Sequence, residues 1–364
     1  MRNKLSSVLI LLAATVFLAG CYDTVTNPFT NSIPEALITS PSEGQTYIEG
    51  DSVHFTGSGI DEEDGELAGS TLTWSSDIDG VLGTGGSFSS TDLSINTHII
   101  KLVAMDSRGR ADSAKVTIHV DEAPPLRVLF IGSSHFAYNA QHEMFRELAE
   151  SGGHDVITDA YTVGGAFLEY HASNPATLEK INSQKWDFVL LQGSPAVMAF
   201  PYEHQYIFYP QVFHALRKPL MDLKAQVEAN NPDALTVYCM PWAYEDGLTY
   251  IEGRTETYFD MQQLIYDNTL EFNEDIGLVV APVGWAWREI MLAGPELHYL
   301  FNPDWSHPSV RGSYLMACVF YSILFLEDSN LCTYYADIPV SEAKHFQFIA
   351  SMMVMRNLGL WNRF

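Results

Sequence analysis

The chain has 364 residues, 47% of them apolar, and carries 45 acidic against 19 basic groups for a formal charge of −26. A negative surplus of that size argues against charge-driven binding to nucleic acid or to an anionic bilayer face. The apolar fraction excludes a disordered chain, and 4 cysteines in so long a sequence exclude a disulfide-built scaffold.

The first element in chain order is a leader. Arg2 and Lys4 form a short basic segment, residues 5–18 are apolar but short for a membrane span, and Leu18-Ala19-Gly20-Cys21 closes the stretch. Small residues ahead of Cys21 resemble the lipobox of bacterial lipoproteins. That resemblance implies removal of residues 1–20, acylation of Cys21, a lipid anchor in a membrane and a place on the extracytoplasmic side of the cell envelope. The other reading is an ordinary secretory leader with a chance cysteine. After Cys21 three cysteines remain, Cys239, Cys318 and Cys332, which allow at most one bridge within the chain. Cys239 and Cys318 sit in apolar runs and read as buried free thiols. The three show no metal-ligand spacing. Residues 307–326 are apolar but interrupted by Arg311, Gly312 and Ser313, so they read as a buried helix and not as a span.

Residues 21–33 are short, polar and rich in Thr and Asn, as in a tether. Residues 34–121 then carry strand signals and almost no helical ones, punctuated by Gly, Asp and Ser turns, which predicts a small β-sandwich with Trp74 in its core. Ser40-Pro-Ser-Glu-Gly, Gly50-Asp-Ser-Val, Trp74-Ser-Ser-Asp and Asp106-Ser-Arg-Gly resemble bacterial immunoglobulin-like or PKD-like modules. The acidic run Asp61 to Glu66 reads as a solvated turn or as a calcium site, and it lacks the spacing of a calcium loop.

Glu122-Ala-Pro-Pro125 marks a stiff boundary, and the pattern changes beyond it. Apolar runs at 126–131, 155–162, 186–192, 235–240 and 277–280 read as buried parallel strands. Helical periodicity falls at 141–152, 210–230, 255–273, 309–326 and 341–357. The alternation predicts an α/β domain over 122–364: a three-layer sandwich with a five-stranded parallel sheet. Such sheets bind ligands at the carboxyl ends of their strands. Ser134 follows the first strand, Gly164 and Gly165 the second, Gln192 ends the third, Trp242 follows the fourth, and Trp285 and Trp287 the fifth.

Gly132-Ser133-Ser134-His135 sits between strand and helix, and Asp304-Trp-Ser-His307 lies near the C-terminus. A serine hydroxyl becomes a nucleophile when a base takes its proton, and the base needs a carboxylate to hold its tautomer. Ser134 alone could cap a helix; the late Asp-x-x-His favours the nucleophile. Val128-Leu-Phe-Ile-Gly-Ser-Ser134 resembles the first block of the SGNH (GDSL-type) hydrolases, Gly164-Gly-Ala-Phe-Leu the second, and Asp304-x-x-His307 the fifth. The resemblance covers roughly residues 126–330 and implies a flavodoxin-like sheet and no cofactor. It makes Ser134 the nucleophile, His307 the base and Asp304 its carboxylate, with oxyanion donors from Ser134, Gly165 and the third block. Two positions depart from the pattern. Ser133 stands where Asp or Asn is usual, and the third block ends in Gln192-Gly-Ser-Pro in place of Gly-x-Asn-Asp. The Gln192 carboxamide could donate to the oxyanion or simply satisfy the strand end.

His135 and His171 are structural or substrate contacts on this reading. Trp242, Trp285 and Trp287 form either a sugar-stacking edge or core. The function expected is hydrolysis of O-acyl esters, in first place O-acetyl groups on carbohydrate. A lipase-like or general carboxylesterase, and a non-catalytic glycan-binding lipoprotein with a degraded site, are the alternatives.

Overall fold

The computed structural model describes residues 31–199, 210–248, 255–294 and 299–363, without the side chains of 210–216. The leader, Cys21 and most of the tether lie outside the described residues. The chain divides between Ala123 and Pro124 into two compact units.

The first unit is built of strands in two sheets. In one, β1 (Glu35–Ser40) pairs antiparallel with β3 (Val53–Asp61), which also pairs with β4 (Gly65–Glu66) and β7 (Ser87–Ser90). The other runs β2 (Gln45–Ile48), β9 (Ala111–Asp121), β8 (Asn96–Met105), β5 (Leu72–Ser76), β6 (Gly80–Thr84). Alternation dictates the core: Val53 and Phe55 point inward from β3, and Ile100, Leu102 and Ala104 from β8. Trp74 is fully buried among them, with its indole N–H donating to Gly85 O at 2.9 Å. The acidic run folds as a turn in which Asp61 Oδ1 accepts the N–H groups of Glu63 and Asp64, and the Asp64 carboxylate takes the N–H of Ser107.

The second unit is a five-stranded, wholly parallel sheet: β10 (Leu126–Gly132), β11 (Val156–Thr162), β12 (Phe188–Gln192), β13 (Leu235–Cys239) and β14 (Val279–Ala281). Their order is β11-β10-β12-β13-β14. Ten helices are described: α1 (Ser134–Ala137), α2 (Gln141–Ser151), α3 (Leu168–Ser173), α4 (Pro175–Asn182), α5 (Pro195–Met198), α6 (Pro210–Asn230), α7 (Tyr258–Ile276), α8 (Val283–Ala293), α9 (Val310–Phe325) and α10 (Val340–Met355). The first crossover runs one way from β10 and the rest the other way. Right-handed connections therefore place helices on both faces, with α2 packing on α9 and α4 on α6. The reversal between β11 and β12 opens a crevice at the carboxyl end of β10, where Ser134 sits.

Phe130, Phe136 and Phe320 meet edge to face in the core, with Phe145 tilted against Phe130. Cys239, Cys318 and Cys332 are buried free thiols. Among the described residues no helix is long and apolar enough to cross a membrane, and no group of three His, Cys, Asp or Glu side chains is placed to hold a metal ion. The helices expected from periodicity did not include α8, which directly follows β14. Its apolar length is helical, so Trp285 and Trp287, two positions apart, lie on different faces of one helix.

Candidate active site

The turn after β10 is set by two side chains. Ser133 is extended, at φ −99° and ψ −161°, and caps α1, with its hydroxyl accepting the His135 N–H. Gln192, at the end of the neighbouring β12, accepts both the N–H of Ser133 at 2.9 Å and its O–H at 2.8 Å. The two departures from the SGNH pattern thus meet and satisfy one another. Gly132 is required beside them: a Cβ there would stand 2.8 Å from Gln192 Oε1. The Gly132 carbonyl in turn accepts the Val163 N–H and the Nε2–H of His171, which is buried and bonded through Nδ1 to Thr177. His171 is therefore structural.

Ser134 follows, half-buried. Its Oγ lies 2.8 Å from His307 Nε2. His307 Nδ1 lies 2.9 Å from Asp304 Oδ2, so Nδ1 carries the proton and Nε2 is free to accept from the hydroxyl. The loop that presents this pair is closed by its own sequence. Asp304 Oδ1 accepts the N–H groups of Ser306 and His307, as Asp does in tight turns. The Asn302 N–H donates to His307 O, and Phe301 bridges to Pro308. Partial burial works against the Asp304 charge, but the hydrogen bonds from His307 and Ser306 outweigh it and hold the carboxyl below its usual range. Trp305 takes a left-handed conformation at φ 63° and is 59% exposed.

Gly165 follows β11 at φ +71°, exposed, with nothing within 4 Å of where a Cβ would lie. Among the described residues neither the Ser134 N–H nor the Gly165 N–H has an acceptor. Helix α1 is a single turn, too short for an accumulated helix dipole. Any anion held here would rest on individual N–H groups.

The expectations for five residues need correction or refinement. Trp242 is fully buried, and its indole N–H donates to Ser306 O at 3.0 Å while its ring stacks on Trp287 at 4.5 Å. It braces the Asp304–His307 loop from beneath and cannot touch a substrate. Trp287 is likewise core. Trp285 packs against Tyr266 at 4.0 Å, with the Arg288 guanidinium over its ring, so its faces are taken. Gln192 is buried with its carboxamide turned into the elbow: Nε2 donates to Gly193 O, while Oε1 holds Ser133. His135 does lie beside Ser134 and His307, yet it is only 7% exposed, stacked on His307 and edge-on to Trp242. Burial first, and the His307 charge second, push its imidazole down to about 4.

Tyr138 escaped the sequence reading; its ring stacks on the other face of His307 at 4.3 Å. The signal available was only its place four residues after Ser134.

No protein-family model matches the chain, and no curated protein matches it. Among solved structures, a DUF4886 family protein from Bacteroides uniformis matches with a TM-score of 0.53 at 17% identity, covering 64% of this chain and 95% of that one. A protein assigned as an SGNH hydrolase from Slackia heliotrinireducens matches with a TM-score of 0.43 at 23% identity, over 55% of this chain and 98% of that one. A catalytic mutant of an acetylxylan esterase from Geobacillus stearothermophilus matches with a TM-score of 0.36 at 15% identity, over 54% and 92%. At these identities the likeness concerns the fold alone, and the first match carries it.

Proposed function

We propose that this protein is a serine ester hydrolase of the SGNH type. The observation that carries the reading is the continuous chain from Ser134 Oγ through His307 to Asp304 at the carboxyl edge of the sheet. Ser134 Oγ attacks the ester carbonyl carbon as its proton passes to His307 Nε2. The N–H groups of Ser134 and Gly165 take the oxyanion, each such donor being worth about 3 kcal/mol of barrier. The bond to the alcohol breaks, and the alcohol leaves with the proton from His307. Water, deprotonated by the same imidazole, then attacks the acyl-serine, releasing the carboxylic acid and restoring the hydroxyl.

The substrate class we infer is an O-acyl, in first place O-acetyl, ester on carbohydrate. The exposed aromatic surface that supports this is not the tryptophan set expected from the sequence. It is Trp305 beside Asp304, with Phe167 and Tyr170 exposed after Gly165; such faces suit sugar rings. The leader supports a lipid anchor at Cys21 in the cell envelope.

Ester hydrolysis is tested with p-nitrophenyl acetate, longer-chain esters and acetylated oligosaccharides. Ser134→Ala and His307→Ala are expected to lose at least about a thousandfold in kcat with the fold intact, and Ser133→Ala far less. Near-normal turnover in Ser134→Ala would falsify the assignment. For the anchor, Cys21→Ser is expected to move the protein from the membrane fraction of its host to the soluble one. A wild-type protein found wholly soluble contradicts that part.

A further inference from the structure

His307 is held by more than its two in-plane bonds. Tyr138 covers one face at 4.3 Å with planes 15° apart, and His135 covers the other at 4.9 Å and 26°. Both rings come from the segment that begins with Ser134, 173 residues from His307 in sequence. His135 is wedged in place: Nδ1 lies 3.2 Å from Ser133 Oγ, Nε2 3.4 Å from Ser306 Oγ, and the ring abuts Trp242. Tyr138 is presented by two consecutive non-glycine residues in the left-handed region, Asn139 at φ 56° and Ala140 at φ 46°. Local sequence disfavours that pair, so something must hold it. Asn139 does: its amide donates to Pro308 O at 3.0 Å and to Ser313 Oγ at 2.9 Å, tying the turn to the chain just past His307.

We propose that Tyr138, His135 and Asn139 are positioning residues that clamp the plane of His307, an inference resting on the Ser134–His307–Asp304 reading. An imidazole bonded only at its two nitrogens can tilt about the axis through those bonds. Asp304 is exposed, so water competes for that hydrogen bond. Rings on both faces block the tilt. The Tyr138 face also attracts an imidazolium more than a neutral imidazole. The clamp therefore acts most in the transition state, when His307 carries the serine proton, and its loss falls on kcat and not on KM. His135, kept neutral by burial, sets no second positive charge against that imidazolium. One six-residue segment, 134–139, thus carries both the nucleophile and the device that aligns its distant base.

The test uses the full chain and p-nitrophenyl acetate. Tyr138 is 37% exposed, so its truncation leaves the fold and Tm unchanged. Tyr138→Leu is expected to lower kcat about tenfold or more at constant KM. Tyr138→Phe, which keeps the ring, restores kcat to within about twofold of wild type. Asn139→Gly, which accepts the left-handed backbone but drops the tie, behaves as Tyr138→Leu does. Unchanged kcat in Tyr138→Leu overturns the clamp, and so does a Tyr138→Phe enzyme as slow as Tyr138→Leu. Ser134→Ala, run alongside, separates the two failures. A dead Ser134→Ala with a normal Tyr138→Leu removes the clamp alone, whereas an active Ser134→Ala removes the triad and the clamp together.

Discussion

His135 shows at the scale of one residue how burial becomes a pH dependence. Its imidazole titrates near 6.5 in an unfolded chain and at about 4 in the fold. At pH 7 both forms are neutral, and the group contributes nothing to the pH slope. As pH falls through 6.5 the unfolded chain takes up a proton that the folded one refuses. Stability then declines, by on the order of 3 kcal/mol, until the folded imidazole also protonates near 4. His171, lowered by burial, adds to the same slope. Asp304 acts in the same sense at lower pH, its stabilisation present above the unfolded carboxylate value and lost as pH falls from there through its own lowered value. Thermal denaturation from pH 7 to 4 should therefore show a slope that His135→Phe reduces and does not abolish. An identical slope in wild type and variant would mean that His135 is accessible to protons in the fold.

At the scale of elements, the Ser133–Gln192 pair joins the start of α1 to the end of β12. Gln192→Ala strands a buried N–H and O–H on Ser133, at a cost of about 1–3 kcal/mol, and loosens the turn that aims Ser134. The expected result is a clear fall in Tm with a smaller fall in kcat. An oxyanion donor would instead give about a hundredfold loss in kcat at nearly unchanged Tm. The cycle with Ser133→Ala adds a second criterion. Since each residue exists to satisfy the other, the double mutant should lose less than the two single mutants together. Additive losses would separate the two side chains and return Gln192 to the oxyanion. Gly132→Ala belongs to the same joint, because its methyl would strike the Gln192 carboxamide.

For the whole molecule, Ser134, Gly165, Asp304, His307 and their supports all lie beyond Pro124, inside one compact unit with its own continuous core. A fragment of residues 122–364 is expected to fold cooperatively and to hydrolyse p-nitrophenyl acetate with kcat within about threefold of the full chain, as independent domains do. A folded fragment without activity would assign part of the site to the first unit. On polymeric substrate the fragment and the full chain can differ, and any loss seen only there assigns the all-β unit a part in reaching the polymer.

The sequence alone determined the alternation of strands and helices in the second unit. Strands buried on both faces must be apolar throughout, and helices packed on them must repeat every three to four residues. It also determined the residue types that meet in the site: a serine just after the first strand, and an Asp and a His three positions apart, close enough to share one loop. Where a side chain points, and what lies over it, was decided by tertiary contacts. Trp242 and Gln192 each stand at the end of a strand, where a sequence reader expects solvent. The chain folds back over both, through Ser306 in one case and Ser133 in the other. Tyr138 carries no sequence signal beyond its place four residues after Ser134. Its place over His307 depends on two left-handed residues that local preference rejects, and these are held by Asn139 gripping Pro308, 169 residues away. Period and composition report which residues are buried on average. Only closure of the Phe301–Pro308 loop onto the turn after β10 sets the rings against each other, because that contact is made by parts of the chain with no local correlation.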